Sequence, residues 1–500
     1  MTQTPDSDRQ TKLDALIAAG VSPYGSRLSD IAEIARVRSS FESLEGKEIR
    51  VAGRIAALRD HGKSKFFDII DATGRIQCYV RKQDIGDAPF DQFAFIEVGD
   101  IVGVDGKVGK TRLGEITVFA SSYRLLAKAL RHLPEKWHGL RDVEIKYRRR
   151  YLDLIANRDS FEVFRQRSMI VSEFRRYFEE KGFLEVETPM MQSIPGGASA
   201  KPFVTHHNTL DIDLYMRIAP ELFLKRLLVG GMEKVFEIAR CFRNEGIDTR
   251  HNPEFTMAEV YEAYADYNVM MEHCEAVVSR ICERVLGKFE IEYAGRVINF
   301  RPPWRRARFI DLVAEASGID PWDTEAAKKR LIGAGFKAED MPKEHDFVLQ
   351  GLFELLVEPN LVQPTFVLDH PAATTPLCRP LPSDPRLVER FELFVSGMEL
   401  CNAYTELNDP CIQRKNFNDQ IARGSEETIG RIDEDYVRAL EHGMPPAGGM
   451  GLGIDRLVML LTGRSSIRDV VLFPLLRPKS EDEVQAEESA VEGQPEQETK

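Results

Sequence analysis

Several features that would place a chain in a familiar class are missing from this sequence. The 500 residues contain no run close to the roughly 18 to 20 apolar residues that cross a bilayer, and residues 1–12 are polar, without the apolar centre of a secretion signal. The seven cysteines are scattered and form no C-x-x-C pair, which argues against a zinc site and against a disulfide framework. We therefore expect a cytoplasmic protein with reduced thiols and no membrane partner.

The common nucleotide-binding signatures are also absent. There is no G-x-x-x-x-G-K-[ST] phosphate loop and no G-x-G-x-x-G between a strand and a helix. The sequence has instead a glycine-rich run at residues 448–453, followed by Arg456 and an apolar helix. Alternate glycines clear side chains from a strand so that a flat group can lie against the backbone, and a helix start favours phosphate charge. Taken alone, this run is a weak signal.

Charge and composition divide the chain into parts. The net charge of −13 argues against a basic coat for nucleic acid, but residues 50–146 hold 17 basic against 13 acidic side chains, which suits a polyanion locally. Five short alternating runs predict a small β-barrel there, and strands alternate with helices beyond it. We expect an α+β protein in five parts: an N-terminal extension (1–49), a barrel domain (50–140), a linker (141–160), a larger α+β domain (161–478) and a disordered acidic tail (479–500).

One hairpin of the predicted barrel has an outer face suited to RNA. If Ile70 lies opposite Arg75, one side of the hairpin is apolar: Phe67, Ile69, Ile76, Cys78 and Val80. The other side carries Phe66, Asp68, Gln77 and Tyr79, with lysines and arginines around them. Aromatic rings stack bases, polar groups read base edges and cations hold phosphates, so this face predicts binding of single-stranded RNA. The alternative is the solvated face of a structural barrel.

Two strands of the larger domain carry charge where an ordinary core would not. Alternation places one face of the first strand at Glu237, Ala239, Cys241 and Arg243, and one face of the returning strand at Phe255, Met257, Glu259 and Tyr261. A polar loop with Glu245, Arg250 and His251 joins them. An arginine binds a phosphate or carboxylate through two hydrogen bonds, and a phenylalanine nearby can stack a purine. A surface ladder of ion pairs is the alternative.

A later hairpin predicts a divalent metal site. A two-residue turn at residues 396–397 sets Phe394 opposite Glu399 and brings Glu392 to the same face as Glu399. Two carboxylates at such a short distance repel each other unless a cation lies between them. A Mg²⁺ ion that also binds phosphates would be such a cation. Two solvated glutamates are the alternative interpretation.

The same hairpin carries polar residues further along its second strand. Strict alternation sends Asn402, Tyr404 and Glu406 to the face opposite Glu399. These residues can serve the same ligand as Glu399 only if the strand contains an extra residue. We therefore predict a bulge between Glu399 and Asn402.

Taken together, these segments resemble a class II lysyl-tRNA synthetase over about residues 10–478. The class motifs are similar to GFLEVETP (182–189), to the FRNEG and RHNPEFT segments (242–256) and to GLGIDR (451–456), while residues 194–198, 217–222 and 401–410 are similar to the lysine-specific branch. The resemblance implies an N-terminal OB-fold anticodon-binding domain and a class II catalytic domain with a central antiparallel sheet flanked by helices. It also implies a homodimer that charges tRNA(Lys) with L-lysine through a lysyl-adenylate, using ATP and Mg²⁺.

The resemblance further implies roles for individual residues. The two catalytic arginines are Arg243, which would hold the α-phosphate and the lysine carboxylate, and Arg456, which would hold the terminal phosphate. The resemblance implies contacts to ATP at Glu245, His251, Asn252, Phe255 (stacking adenine) and Glu392, and contacts to Mg²⁺ at Glu392 and Glu399. For the lysine substrate it implies contacts to the α-amino group at Gly197 and Glu221, to the carboxylate at Asn402, and to the side chain at Glu259, Tyr261, Tyr404 and Glu406. For the anticodon it implies contacts at Phe66 and Gln77.

Three alternatives remain at this point. An aspartyl- or asparaginyl-tRNA synthetase shares the barrel and the three motifs, but an aspartate pocket needs a cation where this sequence offers Glu406, Glu259 and Tyr261. A catalytically idle paralogue would not need the intact Arg243 and Arg456. A relative that attaches lysine to a protein would usually lack the barrel.

Overall fold

The computed structural model describes residues 6–133, 142–424 and 430–478, so the predicted acidic tail lies outside the described residues. The chain forms two compact units, one ending at Asp142 and the other spanning Val143–Pro478. No helix within the described residues is both long enough and apolar enough to span a membrane. The seven cysteines all fall within the described residues, and each is a free thiol.

The smaller unit is a closed five-stranded barrel with the strand order β1-β2-β3-β5-β4. Its strands are β1 (Glu48–Asp60), β2 (Ser64–Ile70), β3 (Arg75–Arg81), β4 (Ile101–Lys110) and β5 (Ile116–Ala127). Only β3 and β5 pair in parallel among these neighbours. The predicted hairpin register is confirmed, because Ile70 faces Arg75 and the five residues of the apolar side are all fully buried.

Short helices cover this barrel: α1 (Ser7–Ala18), α2 (Ile34–Ser39), α3 (Phe41–Leu44), α4 (Lys82–Ile85) and α5 (Asp87–Gln92). Leu16, Ile34, Val37 and Phe41 belong to the same buried cluster as the barrel interior. The residues before β1, which we expected as an extension, thus contribute to the core of the barrel unit.

The helices of the larger unit are α6 (Val143–Arg148), α7 (Arg150–Ala156), α8 (Arg158–Glu180), α9 (Glu221–Val229), α10 (Tyr267–Ile281), α11 (Phe309–Ser317), α12 (Thr324–Gly333), α13 (His345–Leu356), α14 (Pro410–Arg423), α15 (Glu434–Glu441) and α16 (Ile454–Thr462). The strands are β6 (Leu184–Glu185), β7 (Met191–Gln192), β8 (Val204–His207), β9 (Ile212–Met216), β10 (Lys234–Phe242), β11 (Glu254–Ala263), β12 (Glu290–Tyr293), β13 (Arg296–Asn299), β14 (Arg305–Arg308), β15 (Thr365–Pro371), β16 (Leu387–Phe394), β17 (Glu399–Thr405) and β18 (Ala447–Gly453).

Eight of these strands form one sheet in the order β14-β15-β16-β17-β18-β11-β10-β6. Its central pairs are antiparallel, as the resemblance implied, and the outermost pairs on both edges are parallel. Buried residues of α8, α10 and α16 share one apolar cluster with the central strands, which include Phe236, Val260 and Leu452. This packing on helices leaves other side chains of the central strands free to form a site.

The expected linker differs from the structure. Residues from Val143 onward are helical and belong to the larger unit. Arg150 is fully buried, pairs with Asp153 at 2.8 Å and donates to the carbonyl oxygen of Leu472 at 2.9 Å. We expected a linker here because the run is basic, but this arginine is satisfied by backbone oxygens far along the chain that sequence alone could not indicate.

Candidate active site

A cleft of about 390 Å³ lies over the central strands of the large sheet, within the size range of ligand pockets. It brings together the following residues that the sequence predicted: Gly197, Glu221, Arg243, Glu245, His251, Asn252, Phe255, Glu259, Tyr261, Glu392, Glu399, Asn402, Tyr404 and Arg456. Of the cleft residues predicted from sequence, Glu406 does not line the open space. It lies directly behind Gly449 and Tyr261, which do.

Arg243 supplies a cation without an anionic partner. It follows β10, where its backbone N–H donates to Pro253, and its guanidinium carbon lies 5.0 Å from the centre of the Phe255 ring. It forms no ion pair with any acidic residue that the structure describes, and its buried Nε has no hydrogen-bond partner there. A half-buried guanidinium whose Nε lacks a partner gains a hydrogen bond and an opposite charge when an anion binds, so the site is suited to an anion.

Arg456 provides a second cation in the same cleft. It stands in the first turn of α16, where its Nη1 donates to the carbonyl oxygen of Glu399 at 2.7 Å. Its Nη2 lies 3.3 Å from Nε2 of His251, and the other ring nitrogen of His251 lies 2.8 Å from Asp248. The imidazole is thereby oriented by Asp248 on one side and Arg456 on the other.

The predicted bulge on the second strand of the metal hairpin is confirmed. Phe394 pairs with Glu399 and Leu393 pairs with Cys401, so Leu400 is the extra residue. The turn between the strands has positive φ at both Ser396 and Gly397, which is the geometry of a type I′ hairpin. The shift of one residue turns Asn402 and Tyr404 into the same cleft as Glu399.

Each of the two carboxylates of this hairpin lies beside an arginine, and a third carboxylate, Glu358, lies near them. Glu392 pairs with Arg390, and Glu399 has an oxygen 3.4 Å from Arg456. Burial raises the pKa of nearby Glu358 to about 7, and the charges of Glu354, Glu392 and Glu399 add to the rise. Within the described residues, no group of three or more His, Cys, Asp or Glu could hold a metal. A Mg²⁺ ion here would therefore need oxygens from a ligand beside Glu392 and Glu399, as it does at phosphate sites.

The opposite end of the cleft is acidic and buried. The hydroxyl of Tyr261 donates to Glu259 at 3.0 Å, and that of Tyr404 donates to Glu221 at 2.5 Å. Burial raises the pKa of Glu259 well above its usual value, and the charge of Glu221 adds to it. Burial also raises the pKa of Glu406 to about 8. This end of the cleft holds more carboxylates than cations, so it suits a cationic ligand.

Two glycines make room for these carboxylates. Gly197 has φ of +89°, and a Cβ there would lie 2.9 Å from the Cβ of Glu221. A side chain at Gly449 would collide with the carboxylate of Glu406 and with the ring of Tyr261. The glycine run therefore does clear space along β18, as predicted, and part of that space is taken by an acidic side chain rather than by a flat ligand.

Two residues of the site were missed from sequence. Lys225 on α9 is fully buried between Glu221 and Glu406, and the signal was its spacing of four residues from Glu221. Arg390 on β16 lines the cleft and binds both Glu392 and Asn402, and the signal was its place two residues before Glu392.

The barrel unit carries a separate aromatic surface. Phe66 stacks on Tyr79 with ring centres 4.2 Å apart, and Phe119, which sequence reasoning missed, meets Tyr79 edge-on. The amide oxygen of Gln77 accepts from Thr117 at 3.0 Å. Asp68, which we placed on the RNA-facing side, is buried on that face, because the side chains of Arg59 and Arg75 both pair with its carboxylate, Arg75 at 2.5 Å.

Comparison with known proteins gives two matching family models and several similar proteins that share one activity. A model of "tRNA synthetases class II (D, K and N)" matches residues 142–477, and one of an "OB-fold nucleic acid binding domain" matches residues 49–126. The chain is 51% identical over 477 residues to the lysine–tRNA ligase of Pelotomaculum thermopropionicum, with 94% of each chain covered. It is 49% identical over 491 residues to that of Bacillus subtilis, covering 94% of this chain and 97% of the relative. It is 50% identical over 486 residues to that of Staphylococcus aureus, covering 94% and 98%.

Proposed function

The chain belongs to the class II tRNA synthetases and, within them, to the lysine–tRNA ligases, and from that premise we propose how its own residues activate L-lysine with ATP and transfer it to tRNA(Lys). The observation that carries the assignment of roles is the polarity of the cleft. Arg243, which has no acidic partner among the described residues, marks one end, and buried carboxylates mark the other. A molecule with an anionic head and a cationic tail fits that arrangement.

The reaction brings two anions together. A carboxylate oxygen of lysine attacks the α-phosphorus of ATP, a new O–P bond forms, and the electron pair of the broken P–O bond leaves with pyrophosphate. Arg243 would lie between the carboxylate and the α-phosphate and Arg456 at the terminal phosphate, so both cations offset charge that develops in the transition state. The terminal ribose hydroxyl of the tRNA then attacks the carbonyl carbon, and AMP leaves.

ATP would be positioned by the loop between β10 and β11 and by the start of β11. Phe255 offers a half-buried ring for adenine, and Glu245, His251 and Asn252 line the cleft beside it. The buried Oδ1 of Asn252 has no hydrogen-bond partner in the described residues, which leaves an acceptor for the nucleotide. Glu392 and Glu399 would hold Mg²⁺, which supplies positive charge to the phosphates when bound.

Lysine would be chosen by the acidic end. Gly197 and Glu221 would take the α-amino group, and Asn402 the carboxylate, with Tyr404 packing alongside. The ε-ammonium would lie among Glu259, Tyr261 and Glu406. Oε2 of Glu406 is paired with Lys225, whereas its buried Oε1 has no hydrogen-bond donor among the described residues, so an incoming ammonium would satisfy Oε1.

The barrel would recognise the anticodon. Phe66 would stack on a base, and Gln77 would read a base edge with its amide NH₂, since its oxygen is already engaged by Thr117. The stacked Phe66 and Tyr79 pair supports a surface for bases rather than an ordinary solvated face.

We further propose that two copies of the chain pair in the cytoplasm. The three-stranded sheet β7-β9-β8 and its flanks expose apolar side chains: Met190, Met191, Val204, Leu210 and Ile212. Met191 pairs with Met216 and so shares one face of this sheet with Ile212, and exposed apolar side chains grouped on one face favour a contact with a partner. Sedimentation velocity tests the pairing, because a homodimer predicts twice the mass of 56.8 kDa and a monomer contradicts it.

Amino-acid-dependent exchange of pyrophosphate into ATP tests the activity itself. We expect exchange with lysine and none above background with aspartate or asparagine. Exchange with aspartate would instead support the nearest alternative family member, and the absence of exchange with every amino acid would contradict an active enzyme.

A further inference from the structure

A lysine of the protein itself lies at the acidic end of the cleft. Lys225 on α9 is fully buried, and its Nζ lies 2.6 Å from Oε1 of Glu221. The same Nζ pairs with Oε2 of Glu406, and it lies 5.3 Å from the centre of the Tyr404 ring. One buried cation therefore joins two carboxylates that are distant in sequence.

These carboxylates each use one oxygen for Lys225 and keep the other. Oε2 of Glu221 is directed to Gly197, where a Cβ would approach it to 3.6 Å. Oε1 of Glu406 is pressed against Gly449 and has no hydrogen-bond partner in the part of the chain that the structure describes. The free oxygen of Glu221 thus lies at the proposed α-amino subsite, and that of Glu406 lies directly behind the lining of the proposed ε-ammonium subsite.

We propose that Lys225 is a positioning residue that fixes the separation between the α-amino and ε-ammonium subsites, so that it sets the length of side chain that the enzyme accepts. This proposal rests on the proposed function, and it adds a residue that has no contact with the substrate. The ammonium of Lys225 acts as a fixed point between Glu221 and Glu406: moving it moves both carboxylates, and removing it releases them from each other.

The charges of the acidic end are consistent with this role. Three buried carboxylates, Glu221, Glu259 and Glu406, surround the end of the cleft, whereas Lys225 is the buried lysine that pairs with two of them. The two ammonium groups of a bound lysine bring the number of cations to three, which matches three ionised carboxylates. A shorter diamino acid brings the same charge but cannot reach both subsites.

A purely structural role explains the arrangement less well. Burying an ion pair does not by itself stabilise a fold, because an apolar residue of similar size often does as well or better. Residues 221–229 form a mostly apolar helix, so apolar side chains in place of the lysine and both of its carboxylates would suit this core. Burial acts to lower the pKa of Lys225, but the carboxylates outweigh it and hold that pKa well above its usual value, so the residue stays charged.

The test compares lysine with ornithine, which is shorter by one methylene. Lys225→Met keeps the volume and removes the charge, and Lys225→Arg keeps the charge but alters its geometry. Lys234→Met is the matched control, since Lys234 also pairs with a glutamate but is 39% exposed and does not line the cleft. Pyrophosphate exchange gives kcat and KM for each amino acid and for ATP.

For Lys225→Met we expect kcat/KM for lysine to fall by at least about 100-fold and the preference for lysine over ornithine to fall by at least about 10-fold, with the KM for ATP unchanged. Lys225→Arg should lie between this variant and the wild type in both measures. Lys234→Met should match the wild type.

Two outcomes overturn the proposal. One is an unchanged ratio of kcat/KM for lysine to kcat/KM for ornithine in both variants, even if kcat/KM for lysine itself falls. Lys225 would then supply charge to the site without setting the length of side chain that the enzyme accepts. The other is an unchanged kcat/KM for lysine. If Lys225→Met does not fold, as judged by circular dichroism, Lys225→Arg decides alone. A wild-type protein that shows no lysine-dependent exchange would instead reject the proposed function before any variant is compared.

Discussion

Nε of Arg390 donates a hydrogen bond to Oδ1 of Asn402 across the β16–β17 pair, at 2.9 Å. The same guanidinium also holds Glu392 and Thr375. Because the oxygen of the Asn402 amide is engaged, its NH₂ group is left for the cleft, where an anion such as a carboxylate would accept from it. Arg390 thus orients the proposed carboxylate contact and one proposed metal ligand together.

We predict that Arg390→Lys impairs lysine activation more than ATP binding. A lysine has one nitrogen and cannot hold Asn402, Glu392 and Thr375 in the same geometry. The KM for lysine should rise by about 10-fold, since roughly 1 to 1.5 kcal/mol of hydrogen bonding is lost. Steady-state pyrophosphate exchange measures this, with Arg386→Lys as the control because Arg386 pairs with Asp384 at the surface. Equal kinetics for the two variants would show that Arg390 does not orient the site.

Glu406→Gln should lower kcat/KM for lysine by about two to three decades. Removing one charge from a buried pair costs roughly 3 to 5 kcal/mol, here because Lys225 and the substrate ammonium both lose their partner. Binding of ATP should persist, since Glu406 does not line the open cleft. Calorimetric titration of each substrate separates the two effects. Unchanged lysine kinetics would remove Glu406 from the pocket.

Lysine binding should release protons near neutral pH. Burial raises the pKa of Glu406 to about 8, even though Lys225 beside it acts to lower that pKa, so a fraction of the free enzyme carries a proton on Glu406 near neutral pH. A bound ammonium favours the ionised carboxylates, and the KM for lysine should therefore fall as pH rises from about 7 to about 8, by up to roughly 10-fold per unit. Calorimetry in buffers of different ionisation enthalpy counts the protons. Release of none would contradict this protonation state.

The sequence predicted those parts of the site that depend on local patterns within a strand or a hairpin. Alternation gave the faces of β10 and β11, and the conflict between Glu399 and Asn402 predicted the bulge that the structure contains at Leu400. Lys225 and Asp68 could not be assigned in the same way, because their environments depend on contacts between strands and helices far apart in the chain. Burial of a charged residue is decided by such partners and not by its neighbours in sequence.

Phe66→Ala should raise the KM for tRNA and leave adenylate formation unchanged. The loss of one stacked base costs roughly 1 to 3 kcal/mol, which corresponds to about 5-fold to 150-fold in binding. Tyr24→Ala removes an exposed aromatic residue elsewhere on the same unit and should have no effect. Aminoacylation and pyrophosphate exchange, measured on the same samples, distinguish the two steps. A defect in exchange would mean that Phe66 serves more than tRNA binding.

A crystal structure with lysine and a nonhydrolysable ATP analogue tests the central claim most directly. The account predicts the lysine carboxylate and the α-phosphate together at Arg243, the adenine on Phe255, and the ε-ammonium within about 3 Å of Glu406 or Glu259. An empty cleft, or an ε-ammonium directed away from every one of these glutamates, would contradict it.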